Sequence, residues 1–548
     1  MKIIYLIIIL TYLHAQMPFD CVFGKTNLLN RSELQSNAII DFRKGLEDTL
    51  YIGTGNGLGK AVVSNPLSPI FSIIDECGVS NGDNSSCDEP LLPEGGIPAL
   101  KTYTLDDDGK MIILSGAMST YEEADDDCHA RGTGISWSED SGLSWQYIGQ
   151  PVDDGEPGKF INFPWYGQQL SKKVWHTTVD NVSYDVAVDI NRKFIYSTSW
   201  GGGLRRFNYI ESSTQKDTLW EVIPLPMDNQ DSLFCDTTYY SSHYINYEYN
   251  PVDPPDGSDN HKAFSVHTQL DTVWVGTAGG VNKGVVQENG CINWKHYNTD
   301  DGLGGNWVIG VIPQDYNTYT RLWLISWISP DSPHPLTYTD DGGKTWHVVT
   351  QLLDMGIIVY NLSFSSKHVI ASTDHGLYIS DYNDGSIWHH LPITNDLNGE
   401  RILTDKYFTA ISIVEDEFDT LLIGTEDGLS IISMGGETID NIRFWETPIS
   451  FSAYPNPFFI NEYNQVGNDR YVRFIYSNPN QNSGNIDVFD FAMDQVIHLD
   501  NANPVTQDEN EIIWNGRNQY GDKVANGVYF CRLSLKGKYY WTKLAVIN

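Results

Sequence analysis

The chain has 548 residues, 71 of them acidic against 34 basic, and a formal net charge of −37. So large an acidic excess argues against nucleic acid and anionic membrane as partners. With 48 glycines, 16 tryptophans, 12% aromatic residues and no long stretch of helical periodicity, the composition is that of many short strands joined by tight turns.

The N-terminus reads as a secretory signal peptide over residues 1–15. Met1-Lys2 precedes an apolar run from Ile3 to Leu13, and Ala15 supplies the small residue at the cut. The run is shorter than the ~20 residues that a membrane span needs. No later segment is apolar enough to cross, so no transmembrane segment is expected. Seven cysteines in an exported chain leave one unpaired if the rest bridge. Cys77 and Cys87 flank the loop GVSNGDNSS and are the expected pair, with Cys128 as competitor. There is no C-x-x-C, so no cysteine metal site is expected.

From Leu50 onward one phrase returns seven times. It is apolar-apolar-x-Gly/Ser-Thr, a short polar stretch, then Gly-Leu or Gly-Val opening another strand. Clear copies are LYIGTGNGLGKAV from Leu50, VWVGTAGGVNKGV from Val273, VIASTDHGLYIS from Val369 and LLIGTEDGLSII from Leu421; weaker ones start at Ile112, Phe194 and Leu322. An apolar strand precedes each copy and a Trp-bearing strand often follows, as in NWKHYN, TWHVVT and IWHHLP. Four strands per unit, with the phrase as the second, make the blade of a β-propeller. The fold expected is therefore all-β: a seven-bladed propeller over 16–449, with long loop insertions in blades two to four, and a second domain over 450–548.

Two units carry a sharper pattern, Ser/Thr-x-Asp-x-Gly-x-Ser/Thr-Trp. The residues are Ser138, Asp140, Gly142 and Trp145, then Thr339, Asp341, Gly343 and Trp346. These resemble the Asp-boxes (BNR repeats) of sialidase-type propellers. The physical role is local: the Asp bonds backbone in the turn, the Gly takes a positive φ and the Trp packs between blades. The arginine-bearing motif of sialidases is missing, so the resemblance implies the hairpin and not the activity. Asp301-Gly302-Leu303, Asn306-Trp307-Val308 and Leu322-Trp323-Leu324 resemble the propeller repeats of two-component regulators, which implies an extracytoplasmic sensor.

The pattern changes near Phe451. Alternating strands separated by Gly/Asn turns make a small β-sandwich. Asp490, Trp514-Asn515-Gly516, Gly521 and Ala525-Asn526-Gly527-Val528-Tyr529 closely resemble the FlgD-like immunoglobulin fold. With the Tyr454-Pro455-Asn456-Pro457 opening and the Lys543-Leu544-Ala545-Val546-Ile547 ending, they resemble a C-terminal sorting domain of type IX secretion. That resemblance implies export by the secretion machinery and a place outside, or on the surface of, a Gram-negative-type bacterium.

In a propeller, the loops after each second strand and those leading into each first strand share one face, where ligands usually bind. Here they present Trp200, Trp307, Trp327, His176, His334, His375 and Arg401, together with Asn56, Arg131, Trp165, Tyr166, Trp175, Asp185, Asp374 and Glu426. Trp faces stack on sugar rings and anchor protein interfaces. Such a face fits a binding protein for an extracellular glycan or protein. A polysaccharide hydrolase of the sialidase or xyloglucanase kind would need two carboxylates ~5–10 Å apart, and Asp180, Asp331 and Asp427 are the candidates by position. An extracytoplasmic sensor or scaffold is the third reading. No cofactor is expected. The same face carries an acidic insertion with Glu122, Glu123, Asp125, Asp126, Asp127 and His129; calcium would fall on its Asp125–Asp127 run, whose adjacent acids lack the alternating spacing of a calcium loop.

Overall fold

A computed structural model describes residues 36–65, 69–79, 90–92, 95–105, 110–122, 128–175, 181–212, 220–235, 246–316, 318–329, 333–395, 402–414, 420–443, 449–462, 469–478, 484–501, 510–535 and 537–548. At 118–122, 128–130, 211–212, 414 and 501 the description is of backbone alone. The chain divides into two compact units, residues 1–394 with 404–444, and residues 445–548 with 395–403.

In the first unit every copy of the repeated phrase is the second strand of an antiparallel meander: Thr49–Thr54, Met111–Glu122, Phe194–Ser199, Thr272–Thr277, Thr320–Ser326, His368–Thr373 and Thr420–Thr425. The strand Thr420–Thr425 is buried at every position, as a short continuous apolar run in a sheet covered on both faces should be. The threonine ending the phrase closes the next hairpin. Its Oγ1 donates to the carbonyl three residues on, at 2.8 Å for Thr54–Gly57, 3.1 Å for Thr277–Gly280, 2.8 Å for Thr373–Gly376 and 3.0 Å for Thr425–Gly428. The same oxygen accepts the N–H two residues on, from Asn56, Gly279, His375 and Asp427. The repeat is thus a hairpin lock, in which a short hydroxyl satisfies two turn groups at once.

The inner strands are Ile39–Lys44, Gly96–Thr104, Asp185–Asp189, Ala263–Gln269, Val308–Asp315, Val359–Phe364 and Tyr407–Val414. Each touches the next, and the last touches the first. This cyclic order of four-stranded meanders is the architecture of a β-propeller. Apolar clusters fill the spaces between neighbouring sheets. Ile39, Phe42 and Ile52 of the first sheet pack with Leu422, Leu429 and Ile431 of the last. The phrase glycine sets the closest approach. A Cβ on Gly53 would meet the Ile97 carbonyl oxygen at 2.9 Å, and one on Gly424 would meet that of Ile39 at 2.8 Å. A glycine is needed where the next sheet's backbone comes this near.

Insertions decorate the third and fourth sheets. The hairpin of Phe160–Trp165 and Gln168–Lys173 pairs in parallel with Glu248–Tyr249, and Ser232–Leu233 adds an outer strand to the fourth sheet. Asp153, 6% exposed, bonds both Lys172 of the hairpin and, at 2.6 Å, Arg205 of the third sheet. A disulfide, Cys235–Cys291, staples the 220–260 insertion to the fourth sheet across 56 residues. Spacing did not suggest it, because its halves meet only through the fold. Cys77 is disulfide-bonded; its expected partner Cys87 lies outside the described residues.

The second unit holds two sheets. One runs Phe451–Tyr454, Val472–Tyr476, Asn510–Trp514; the other runs Phe458–Phe459, Lys538–Ile547, Gly527–Leu535, Gly484–Phe489, Gln495–Asn501. Alternate residues point inward, and Val472, Phe474, Ile486, Val488, Trp514 and Leu533 share one core. This is a small β-sandwich. Among the described residues no helix is long and apolar enough to cross a membrane.

Candidate functional site

Six of the seven inner strands break register with their second strand near the start. A bulge inserts one unpaired residue and re-aims its side chain. The residues so placed are Ile40, Pro98, Phe264, Ile309, Tyr360 and Phe408, and Tyr184 holds the same place ahead of Asp185–Asp189. All line a single cavity of about 130 Å³. One side chain from each sheet therefore forms an apolar collar around the axis.

Next to the collar lies a polar layer of Asp41, Arg43, Lys101, Asp185 and Asn361. Asp41 pairs with Arg43 at 2.7 Å, and Lys101 with Asp185 at 3.1 Å. These groups also sew inner strands together. Arg43 Nε donates to the Leu100 carbonyl at 2.8 Å, and Asp185 accepts the Val266 N–H at 3.1 Å. Burial pushes the Asp41 carboxyl above its ordinary value, with Arg43 and Lys101 opposing. Asn361 Oδ1 accepts the Leu362 N–H at 2.9 Å, which leaves its amide NH2 without a partner among the described residues.

Aromatic rings pack against the collar. Trp307 stacks on Phe264 with ring centroids 5.8 Å apart, and Trp200 lies 5.8 Å from Phe264 and 5.9 Å from Trp307. Both tryptophans are half-buried. The Lys262 ammonium sits 4.8 Å from the Trp200 ring and is held by Asp253 and Asp259. The structure thus brings Trp200 and Trp307 together.

Other candidates part from this cluster. Trp327 was expected on the exposed face, but it is 2% exposed. Its backbone N–H donates to the Trp307 carbonyl at 2.7 Å and its ring packs near Tyr360, so it serves as core. Asp427 is no free carboxylate: Arg443 grips both its oxygens at 2.6–2.9 Å. His375 is exposed and pairs with Asp374 at 3.0 Å. His334 is half-buried, and burial lowers its pKa against the opposing field of Asp374. His176, Asp180, Asp331, Arg401 and the acids 123–127 lie outside the described residues. Among those described, no three His, Cys, Asp or Glu side chains gather as a metal site.

The Ser/Thr-x-Asp-x-Gly-x-Ser/Thr-Trp loops share one set of bonds. Asp140 accepts from the Leu143 and Ser144 N–H groups at 3.1 and 2.8 Å and from Ser144 Oγ at 2.6 Å. Asp341 accepts from the Lys344 and Thr345 N–H groups, both at 2.9 Å, and from Thr345 Oγ1 at 2.7 Å. Gly142 and Gly343 have φ of 81° and 87°. Trp145 is buried with Tyr51 of the first sheet, and Trp346 packs edge-on to Tyr297 of the fourth. The collar, Asp41 and Lys101 escaped sequence reasoning. The one signal was an apolar residue breaking alternation at the start of an inner strand, as in AIIDF and AFSVH.

No family model matches the sequence, and no curated protein matches it either. Among solved structures it is similar to PorZ, described as an essential bacterial surface component of the type-IX secretion system of Porphyromonas gingivalis. Identity is 12% and the TM-score 0.40, over 92% of this chain and 64% of that one. AFV00434, an ancestral GH74 enzyme, matches at 13% identity and TM-score 0.40, over 74% of this chain and 49% of that one. The Cps50 (Swd1) β-propeller domain of Myceliophteria thermophila matches at 12% and 0.39, over 75% and 98%. The chain thus spans less than two thirds of the length of the first two.

Proposed function

We propose that this protein is a secreted or cell-surface recognition module: a seven-bladed propeller that binds an extracellular glycan or protein through the aromatic face around Trp200 and Trp307. The carrying observation is the pairing of acids in the propeller. Asp427 is tied to Arg443 and Asp185 to Lys101, while two half-buried indoles and Phe264 stay clustered. Paired acids are poor proton donors and nucleophiles, whereas clustered aromatics are what sugar rings and protein hot spots dock on. The C-terminal sandwich is an immunoglobulin-like sorting domain that directs export through the type IX machinery. The Cys235–Cys291 disulfide supports that address, since such bonds persist outside the reducing cytosol.

The test is an array of glycans and extracellular proteins probed with the full chain, scored for binding and for reducing-end release. Binding without release, lost in Trp200→Ala and Trp307→Ala, is expected. Release would transfer the assignment to the second reading, a glycoside hydrolase. One observation favours that reading: Asp41 is a buried carboxyl of raised pKa facing a cavity. In that case Asp41→Asn removes release and leaves binding.

A further inference from the structure

We infer that the axial cavity takes a single tyrosine side chain presented by a partner protein. The inference rests on the recognition reading above and names the partner's chemistry.

Size is the first argument. At about 130 Å³ the cavity is well below the roughly 300–1,000 Å³ of small-molecule pockets. It is close to the roughly 150 Å³ of an engineered apolar cavity that binds benzene. One six-membered aromatic ring fills it; an oligosaccharide does not enter.

Second, two surfaces of different chemistry line the cavity. The collar is apolar, built from bulge residues such as Ile40, Phe264 and Phe408. A hexose would press a rim of hydroxyls against it and leave them without hydrogen bonds, which is costly. A phenyl ring presents only carbon there. Next to the collar the chemistry changes. Asn361 offers an unpaired amide NH2, and Lys101 Nζ carries three N–H groups with one ion-pair partner, Asp185, at 3.1 Å. Asp41 and Asp185 can accept from a hydroxyl. An apolar body followed by a donor-acceptor tip describes phenol, hence tyrosine, and not phenylalanine or leucine.

Charge is the third. The carboxylates and cations of the layer are paired, Asp41 with Arg43 and Asp185 with Lys101. A neutral group enters without leaving a charge unpaired, whereas a lysine, glutamate or phosphate would.

The test titrates the full chain with N-acetyl-tyrosinamide, N-acetyl-phenylalaninamide and N-acetyl-leucinamide by ligand-observed NMR. Tyrosinamide is expected to bind in the millimolar range, with phenylalaninamide about tenfold weaker because one hydrogen bond is missing. Asn361→Leu should bring tyrosinamide down to the phenylalaninamide level while phenylalaninamide binding persists, which certifies the fold. Ile40→Trp should fill the cavity and abolish both. Equal binding of tyrosine and phenylalanine, no binding of either, or a tyrosine preference surviving in Asn361→Leu overturns the inference. A neutral glucan tetrasaccharide run alongside separates the two claims. If it binds through Trp200 and Trp307 while tyrosinamide does not, the cavity assignment fails and the recognition face stands. If tyrosinamide binds and the arrays of glycans and proteins stay silent, the face reading fails and the cavity stands.

Discussion

The acids of this propeller are neutralised in two ways, and the contrast between them explains why acid count was a poor guide to chemistry. In the loops 138–145 and 339–346, Asp140 and Asp341 spend their oxygens on backbone N–H groups and neighbouring hydroxyls. Along the axis, under the insertions and in the last sheet's hairpin, Asp41, Asp153, Asp185 and Asp427 face cations as well, namely Arg43, Lys172, Arg205, Lys101 and Arg443. Removing a turn acid leaves exposed N–H groups that water can satisfy. Removing Asp153 leaves two cations, Lys172 and Arg205, that are 7% and 4% exposed, so the penalty there is larger.

The largest expected effect tests that contrast directly. Asp153→Ala strands Lys172 and Arg205, both under 8% exposed, and should cost about 3–5 kcal/mol in denaturant unfolding. A cost equal to that of a turn acid would erase the distinction. The pH dependence has a defined sign. Burial raises the Asp153 pKa, but Arg205 and Lys172 outweigh it and hold the carboxyl below its ordinary 3.8. The unfolded chain takes up this proton first. The stabilisation is therefore full above 3.8 and drains away as pH falls through the folded value, a fall that Asp153→Ala should lack.

Next comes Arg443→Met, which takes the guanidinium away from the less buried Asp427. About 1–3 kcal/mol is expected in denaturant unfolding. Asp341→Asn should be milder. Its carboxylate is held low by the Thr345 N–H and hydroxyl, and the variant should show faster amide exchange at Lys344 and Thr345 with the rest of the fifth sheet unchanged.

The smallest effect lies in the sandwich, where the ion pair is open to water. His498 bonds Asp487 at 2.6 Å and Asp500 at 2.9 Å, and these raise its pKa above 6.5. A raised histidine contributes most below 6.5 and loses its contribution as pH rises through the folded value. An NMR titration should place the His498 midpoint above 6.5, and Asp487→Asn should pull it down. No change would mean that solvent already screens the pair.

Much of the architecture was legible because its cause is local. Every copy of the phrase is a second strand; Thr54, Thr277, Thr373 and Thr425 show why the threonine is there, and Gly53 and Gly424 show why the glycine is. The site was legible only in part. Trp200 and Trp307 meet at the collar, yet Trp327, of the same residue type in an equivalent loop, turns into the core. Loop position alone carries no information about which way an indole turns.

The sequence by itself determined the repeating unit, the all-β architecture and the two turns in which aspartate bonds its own backbone, since each depends on residues within a few positions of one another. Only the tertiary structure decided the collar, the Cys235–Cys291 bridge and the cation facing each buried acid. Those depend on bulges that re-aim single side chains and on a ring that brings residues 39 and 424 into contact. Neither leaves a periodic mark in the chain, because a bulge breaks the alternation that would announce it.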